Sequence, residues 1–199
     1  MVPLAVSATR EYSLPQASCP SCNCIGLEVA DVEYDVENFG AVLMSVTTCR
    51  SCGFKHTDIS SLTSHEPTAT SLNVRSSGDL RIHVIRGSTA TVLVPEFGAS
   101  IEPGLNNEGF VSNVEGVLAR IEDVLRFLMR SLKGRKEHRA NLVLRKIERA
   151  KEGRLRFTLV LKDPFGNSTI VSGNAKRRRM GERELKRLKF GAQAIVAKK

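Results

Sequence analysis

The sequence predicts a mainly β protein of the α+β class, in which a helical hairpin is inserted between strands. Three observations lead to this fold class. Two Cys-x-x-Cys pairs enclose a stretch that alternates with a period of two residues, the pattern of a half-buried β-hairpin. The β alternation continues to about residue 94, a helical period replaces it near residue 114, and alternation returns near residue 155. The helices are therefore expected within a β structure rather than after it.

The cysteine pairs are the strongest chemical signal in the chain. They are Cys19 with Cys22 and Cys49 with Cys52, and each two-residue gap lets both thiolates turn toward one point. Two such knuckles supply the tetrahedral ligands of one structural zinc ion, with no open position for catalysis. Redox-active or unliganded cysteines are the alternative. The fifth cysteine, Cys24, is expected to be a spare thiol.

The first unit, residues 1–62, is predicted to be an N-terminal arm followed by a zinc ribbon. Residues 1–18 are expected to form a loose arm with some strand character. Between the cysteine pairs, residues 31–37 alternate acidic and apolar side chains, and residues 38–40 supply turn chemistry. The 26-residue interval at residues 23–48 is therefore predicted to be a long hairpin whose two ends meet at the metal.

The second unit, residues 63–173, combines strands with the helical insertion. Its apolar residues within 114–128 follow the i, i+3, i+4, i+7 spacing of an amphipathic helix. Ser112 and Glu115 fit a capping box, which would satisfy unpaired amides at the start of this helix. A second, very basic helix completes a helical hairpin that spans about residues 112–152.

The chain is predicted to return to β structure after the hairpin. Apolar residues alternate over residues 155–161, a strong turn signal occupies residues 163–167, and a return strand follows at residues 169–171. Residues 174–199 are interpreted as a separate basic tail, because the four consecutive basic residues 176–179 have few apolar neighbours.

Charge is divided unevenly along the chain. Residues 1–125 carry 7 basic and 15 acidic side chains, whereas residues 126–199 carry 23 and 6. An acidic front half and a basic back half can serve different partners, and a pI near 9.6 keeps nucleic acid among them. The chain has no tryptophan and only two tyrosines, so stacking platforms for single strands are poorly supported. A solvated basic tail is the plain alternative.

No constellation of residues predicts catalysis. His65 and Glu66 lack the further ligand positions of a zinc protease or deaminase, and His83 lies in a β-type alternation. The sequence contains neither a phosphate-binding Gly-rich loop nor a Gly-x-Ser-x-Gly elbow. We therefore expect a binding protein rather than an enzyme. Because the first 14 residues lack signal-peptide features and no apolar run could span a membrane, we expect a cytoplasmic monomer.

A candidate partner surface follows the second cysteine pair. Phe54, Lys55, His56 and Asp58 are expected on the exposed rim of this knuckle, where a partner can contact them. The alternative is that Phe54 covers the zinc and that its polar neighbours are merely solvated.

The chain resembles the ZPR-type zinc-finger proteins, in the single-unit form found in archaea. The resemblance rests on sequence blocks in the family's order, which together cover roughly residues 19–172. They are residues 19–22, 42–45, 49–59, 78–80, 94–97, 102–104, 112–116 and 163–168. Phe54 departs from the family, which often has tryptophan at this position, and the basic tail lies outside the shared region.

The resemblance implies a fold, a metal and a partner. The family's fold is a zinc ribbon followed by a double-stranded β-helix domain that carries a helical hairpin, in agreement with the strand and helix pattern above. Eukaryotic members carry this unit twice and bind translation elongation factor 1-alpha, a GTPase. The resemblance therefore implies a zinc-binding adaptor or chaperone for elongation factor 1-alpha. A zinc-ribbon protein that binds nucleic acid through its basic half remains the alternative.

Overall fold

The computed structural model describes residues 5–63, 66–104 and 108–188. His65, the first four residues of the predicted arm and the last eleven residues of the predicted tail lie outside the described residues. The described chain forms a four-stranded ribbon, residues 5–63, and a larger β domain, residues 66–188. This architecture confirms the predicted fold class.

The ribbon is a single antiparallel sheet in which sequential strands are neighbours. Its strands are β1 (Ala5–Ser18), β2 (Ile25–Val36), β3 (Gly40–Thr48) and β4 (Lys55–Ser61). The long hairpin predicted between the cysteine pairs is confirmed as β2 and β3. The prediction of a loose N-terminal arm is wrong, because β1 pairs along nearly its whole length with β2 and forms one edge of the sheet.

The β domain consists of a five-stranded and a three-stranded sheet. The five-stranded sheet has the order β12-β5-β10-β7-β8, and the three-stranded sheet has the order β11-β6-β9. The strands are β5 (Thr68–Val74), β6 (His83–Arg86), β7 (Thr91–Val94), β8 (Ala99–Ile101), β9 (Phe110–Asn113), β10 (Phe157–Asp163), β11 (Thr169–Val171) and β12 (Lys176–Arg179). Their inward apolar side chains form one core together with one face of the helical hairpin.

A short 3-10 helix interrupts the β pattern near the start of this domain. The alternation of Leu80, Ile82 and Val84 predicts one strand, but Ser77–Arg81 is a 3-10 helix. The Asp79 carboxylate accepts hydrogen bonds from the amides of Arg75 and Ser76, and these bonds lower its pKa. The local carboxylate bonds hold the chain in a turn that periodicity alone does not reveal.

The predicted helical hairpin is confirmed as α1 (Val114–Met129) and α2 (Arg135–Lys151). The cap of α1 lies one residue later than the predicted capping box. The Asn113 side chain accepts a hydrogen bond from the Gly116 amide at 2.8 Å, and Asn113 is also the last residue of β9. Across the hairpin, Glu122 accepts from Lys151 at 2.6 Å. No helix in the described part of the chain combines the length and the apolar character needed to cross a bilayer.

The first part of the predicted basic tail belongs to the β domain. Lys176–Arg179 pairs antiparallel with β5 and forms an edge of the five-stranded sheet, and a short helix α3 (Glu182–Leu185) follows it. Glu184 binds both Arg178 and Lys162, which fastens α3 to β12 and β10. A domain boundary at residue 174, as predicted from the sequence, would therefore separate β12 from the five-stranded sheet to which it is hydrogen-bonded.

The turn at residues 163–168 organises a buried polar network. Asp163 is 1% exposed and accepts hydrogen bonds from the Thr89 hydroxyl, the Phe165 amide and the Ser168 hydroxyl. The Ser168 oxygen accepts in turn from the Gly87 amide at 2.8 Å. Because a buried carboxylate is costly without donors, these bonds fix the path of the turn.

The ribbon packs on the β domain at the end opposite the cysteines. Val36, Phe39, Val42 and Ile59 of the ribbon form one buried cluster with Ile85 of β6. Two polar links reinforce this contact, from the Gly109 amide to the Thr57 carbonyl at 2.8 Å and from the Ser61 amide to the Asn167 side chain at 3.2 Å. A Cβ atom on Gly109 would lie 3.0 Å from the Ile59 nitrogen, so the close approach requires glycine.

Candidate metal centre

The two cysteine pairs lie in two knuckles with the same backbone geometry. In the first, the Cys19 amide donates to the Cys24 carbonyl and the Asn23 amide donates to the Cys19 carbonyl, each at 2.9 Å. In the second knuckle, the same two bonds join Cys49 to Phe54 and Gly53 to Cys49, also at 2.9 Å. Each knuckle therefore folds back on itself so that its two thiols point to the same side.

Both knuckles need one residue in the left-handed region of backbone conformation. Asn23 supplies it in the first knuckle with φ of 58°, and Gly53 supplies it in the second with φ of 74°. Glycine and asparagine adopt this conformation more readily than other residues. The sequence analysis did not single out Asn23, although it directly follows a Cys-x-x-Cys pair, as Gly53 does, and this shared place was a usable signal.

The four sulfur atoms form a compact cluster. All of them lie within 4.8 Å of one another, with 3.7 Å between Cys19 and Cys52 and 3.8 Å between Cys22 and Cys49. A tetrahedral zinc ion with Zn–S bonds of about 2.3 Å requires sulfur–sulfur edges of about 3.8 Å. The described cysteines can therefore hold one zinc ion, whose four positions they would fill.

Backbone amides donate toward three of the four sulfur atoms, those of Cys19, Cys22 and Cys49. The Cys52 amide donates toward Cys49 and lowers the pKa of that thiol to about 6. At Cys22 the Cys24 amide also lowers the pKa, but the Cys52 thiol and desolvation outweigh it and raise the pKa overall. The Ser21 amide donates to the Cys19 sulfur at 3.4 Å. Amide donors around a sulfur cluster stabilise the negative charge that four thiolates bring to a zinc ion.

A small apolar cluster supports the cysteines from within the ribbon. Cys19 and Cys49 are buried together with Leu27, and Phe54 packs against them. Cys22 is half-buried and Cys52 is exposed. Cys24 is also exposed, and its side chain is outside the group of four sulfur atoms, in agreement with its prediction as a spare thiol.

The four predicted partner residues do not form one continuous surface. Phe54 is half-buried against the cysteine cluster, which is the alternative considered for it. Lys55, His56 and Asp58 lie on β4, where alternate residues face opposite sides of the sheet. His56 and Asp58 therefore share one face, and Lys55 lies on the other. Lys55 and Asp58 are exposed, and His56 is half-buried.

The fold and the cysteine cluster define a class of protein: a four-cysteine ribbon joined to a two-sheet β domain with an inserted helical hairpin. A model of the ZPR1 jelly-roll domain matches residues 78–194, which is more than half of the chain. The chain belongs to the ZPR1 family, and the resemblance inferred from the sequence blocks is confirmed. The match includes most of the segment 174–199, which the sequence analysis interprets as a basic tail. This agrees with the pairing of β12 with β5 in the β domain.

Relatives of two sizes match the chain. An uncharacterized ZPR1-like protein of Methanocaldococcus jannaschii is 35% identical over 90% of this chain and 91% of its own length. Another from Pyrococcus horikoshii is 34% identical over 89% of this chain and 82% of its own length. A zinc finger chaperone of Schizosaccharomyces pombe is 29% identical over 77% of this chain, which spans 35% of that longer protein. These relatives support a zinc-binding protein, and none of their names describes an enzyme.

Proposed function

We propose that this protein is a zinc-dependent adaptor or chaperone that binds translation elongation factor 1-alpha and carries out no catalysis. Cys19, Cys22, Cys49 and Cys52 ligate its single structural zinc ion, and the ribbon that they organise is one contact surface for the partner. The observation that carries this proposal is the tetrahedral sulfur cluster in a chain of the ZPR1 family. The name of the fission yeast relative as a chaperone supports a protein partner.

Exposed side chains on the ribbon favour a protein contact beside the metal. Asp58 is exposed on the same face of the sheet as His56, next to the second knuckle. Two strands away, on β2, this face also carries Asp31 and Glu33, and Arg10 of β1 lies opposite Asp31, so acidic side chains outnumber basic ones on this face. Such a surface complements a basic region of a partner and would accelerate its association.

The helical hairpin offers a second contact surface. Four large apolar side chains of its two helices are exposed, with exposed fractions of 43–66%. They are Val124, Phe127 and Leu128 on α1 and Leu142 on α2. Val124, Phe127 and Leu128 share one face of α1 through their i, i+3, i+4 spacing, and exposed apolar stripes of this kind are typical of protein interaction sites.

Binding to purified elongation factor 1-alpha from the source organism tests the proposal. We expect the zinc-loaded protein to bind and Asp58→Arg to bind at least about tenfold more weakly, because a charge reversal converts attraction into repulsion. Glu152→Arg is the matched control, since Glu152 lies at the end of α2 and its side chain is also exposed. Absence of binding in both the GDP and the GTP state would contradict the proposed partner.

Nucleic acid is the second candidate partner. The observation that favours it is the row of basic residues on exposed positions of α2 and β12. Binding dominated by phosphate contacts weakens steeply with salt, by orders of magnitude between low and moderate ionic strength. A filter-binding titration with a duplex RNA at two salt concentrations distinguishes the candidates, because no binding at low salt rules out nucleic acid.

A further inference from the structure

A cleft lies between the turn of the ribbon hairpin and the β domain, at the end of the ribbon far from the cysteines. Its volume is about 320 Å³, which is the size of a site for a small molecule. Four segments converge on it: the turn at residues 37–39, Thr70 of β5, residues 169–173 at β11, and Arg177 of β12. Both units of the protein therefore contribute to its walls.

Thr70 brings an unsatisfied hydroxyl to this cleft. Its side chain is 2% exposed, and its Oγ1 atom has no hydrogen-bond partner among the described residues. A buried hydroxyl without a partner destabilises the folded state, so such groups are normally satisfied by protein, water or ligand. Because Thr70 lines the cleft, its hydroxyl indicates a point at which a ligand atom would complete a hydrogen bond.

Arg177 lies directly opposite Thr70 in the antiparallel pair of β12 and β5, so their side chains are on one face. The guanidinium carbon is 5.0 Å from the centre of the Phe39 ring. Packing partly desolvates this guanidinium and lowers its pKa, although much of the side chain is exposed. No described carboxylate forms an ion pair with it. A guanidinium beside a hydroxyl is a suitable receptor for a carboxylate.

The remaining walls restrict the ligand further. Glu37 brings a carboxylate to the cleft, and no described cation pairs with it. Phe39, Ile170 and Val171 provide apolar surface. A ligand that satisfies all of these groups needs an anionic end for Arg177, a cationic end for Glu37 and an apolar body.

We propose that this cleft is a binding site for a zwitterionic α-amino acid with an apolar side chain. Its carboxylate binds Arg177 and accepts a hydrogen bond from the Thr70 hydroxyl, and its ammonium group lies near Glu37. Its side chain packs against Phe39, Ile170 and Val171. Because the ligand contacts both units, it joins the ribbon to the β domain.

Calorimetric titration of the full-length, zinc-loaded protein with L-leucine and L-phenylalanine tests this assignment. N-acetyl-leucine, which lacks the cationic end, and leucinamide, which lacks the anionic end, are the control ligands. We expect both amino acids to bind and both controls to bind at least about tenfold more weakly, because each control leaves one charged group of the cleft unpaired. No binding of leucine or phenylalanine at millimolar concentration would overturn the proposal, as would equal binding of either control.

Variants locate the site within the protein. Arg177→Gln is expected to weaken leucine binding at least about tenfold. The matched control is Lys176→Gln, which removes the same charge from the adjacent position on the other face of β12 and should leave binding unchanged. Thr70→Val removes the unsatisfied hydroxyl, so it should weaken binding without lowering the melting temperature of the ligand-free protein. Wild-type affinity in Arg177→Gln, or an equal loss in Lys176→Gln, would show that the amino acid binds elsewhere.

Discussion

At the scale of single residues, the two knuckles show why five cysteines provide only four ligands. Cys24 occupies the position that Phe54 occupies in the second knuckle, since the carbonyl of each accepts a hydrogen bond from the first cysteine of its pair. Phe54 turns inward and packs on the sulfur cluster, whereas the Cys24 side chain is exposed. Cys24 therefore contributes its backbone to the knuckle.

Replacement of single cysteines tests this distinction. We expect Cys24→Ser to retain one zinc ion per chain, because its sulfur lies outside the cluster of four. Cys49→Ser should lose the metal or bind it far more weakly, since only three thiolates would remain. Zinc content is measured by mass spectrometry of the native protein and by release with a colorimetric chelator. Equal zinc content in both variants would contradict the assignment of ligands.

At the scale of elements, the ends of the helices and strands are determined by polar contacts that differ from those expected. Helix α1 is capped by Asn113, and β12 with α3 is fastened to the sheet through Glu184. The sequence predicted the helix and most of its apolar face, because a 3.6-residue period extends over four turns, although Leu128 in the last turn is exposed. Its cap was misplaced by one residue, because Ser112 and Asn113 are both good caps and only the residue at which the helical turn begins, Val114, decides between them.

The cap gives a prediction for stability. Replacing Asn113 by alanine leaves the Gly116 amide without its acceptor, so the free energy of unfolding should fall by about 1 kcal/mol. The control is Ser112→Ala, because the Ser112 side chain makes no capping bond in the described structure. Urea denaturation followed by circular dichroism measures both values. A larger loss in Ser112→Ala than in Asn113→Ala would restore the cap predicted from the sequence.

Glu184 gives a prediction for the pH dependence of stability. Hydrogen bonds from Arg178 and then Lys162 lower the pKa of its carboxyl group to about 2, compared with about 4.3 in an unfolded chain. A carboxylate with a depressed pKa stabilises the folded state above the unfolded pKa, and this contribution is lost as the pH falls from about 4.3 toward about 2. The melting temperature of Glu184→Gln should therefore lie below that of wild type at pH 6, and the difference should shrink in this acidic range.

At the scale of the whole molecule, the metal and the main ribbon contact lie at opposite ends of one sheet. The apolar cluster around the cysteines contains ribbon residues only, whereas the cluster at the other end includes Ile85 of the β domain. The metal therefore stabilises one end of the ribbon, and packing on the β domain stabilises the other.

Metal removal is expected to affect these two ends differently. After chelation, amide hydrogen exchange should accelerate strongly in residues 19–24 and 49–54, because no metal ion then joins the four cysteines of the two knuckles. Residues 57–61 should remain protected, because the Ser61 amide donates to the Asn167 side chain and Ile59 is buried at the contact with the β domain. Exchange mass spectrometry of the zinc-loaded and chelated protein provides the measurement. Uniform loss of protection across the ribbon and the β domain would contradict the division.

How far the sequence predicts the molecule depends on the separation of the residues involved. The metal cluster was predictable, because two residues between cysteines bring the ligands together locally. The pairing of β12 with β5 was not, because it joins residues more than one hundred positions apart and the basic side chains of β12 suggest a solvated segment. The partner rim was only partly predictable, since strand alternation places Lys55 and Asp58 on opposite faces.

The distance between the metal and the ribbon contact makes the sheet a lever arm. Val46 of β3 pairs with Thr57, whose carbonyl accepts the hydrogen bond from Gly109 of the β domain, and three further residues lead to Cys49, a length of about 10 Å at 3.4 Å per residue. A tilt of about 10° around this link would therefore move the cysteine cluster by about 2 Å. The angle at which the ribbon meets the β domain thus decides where the knuckles lie.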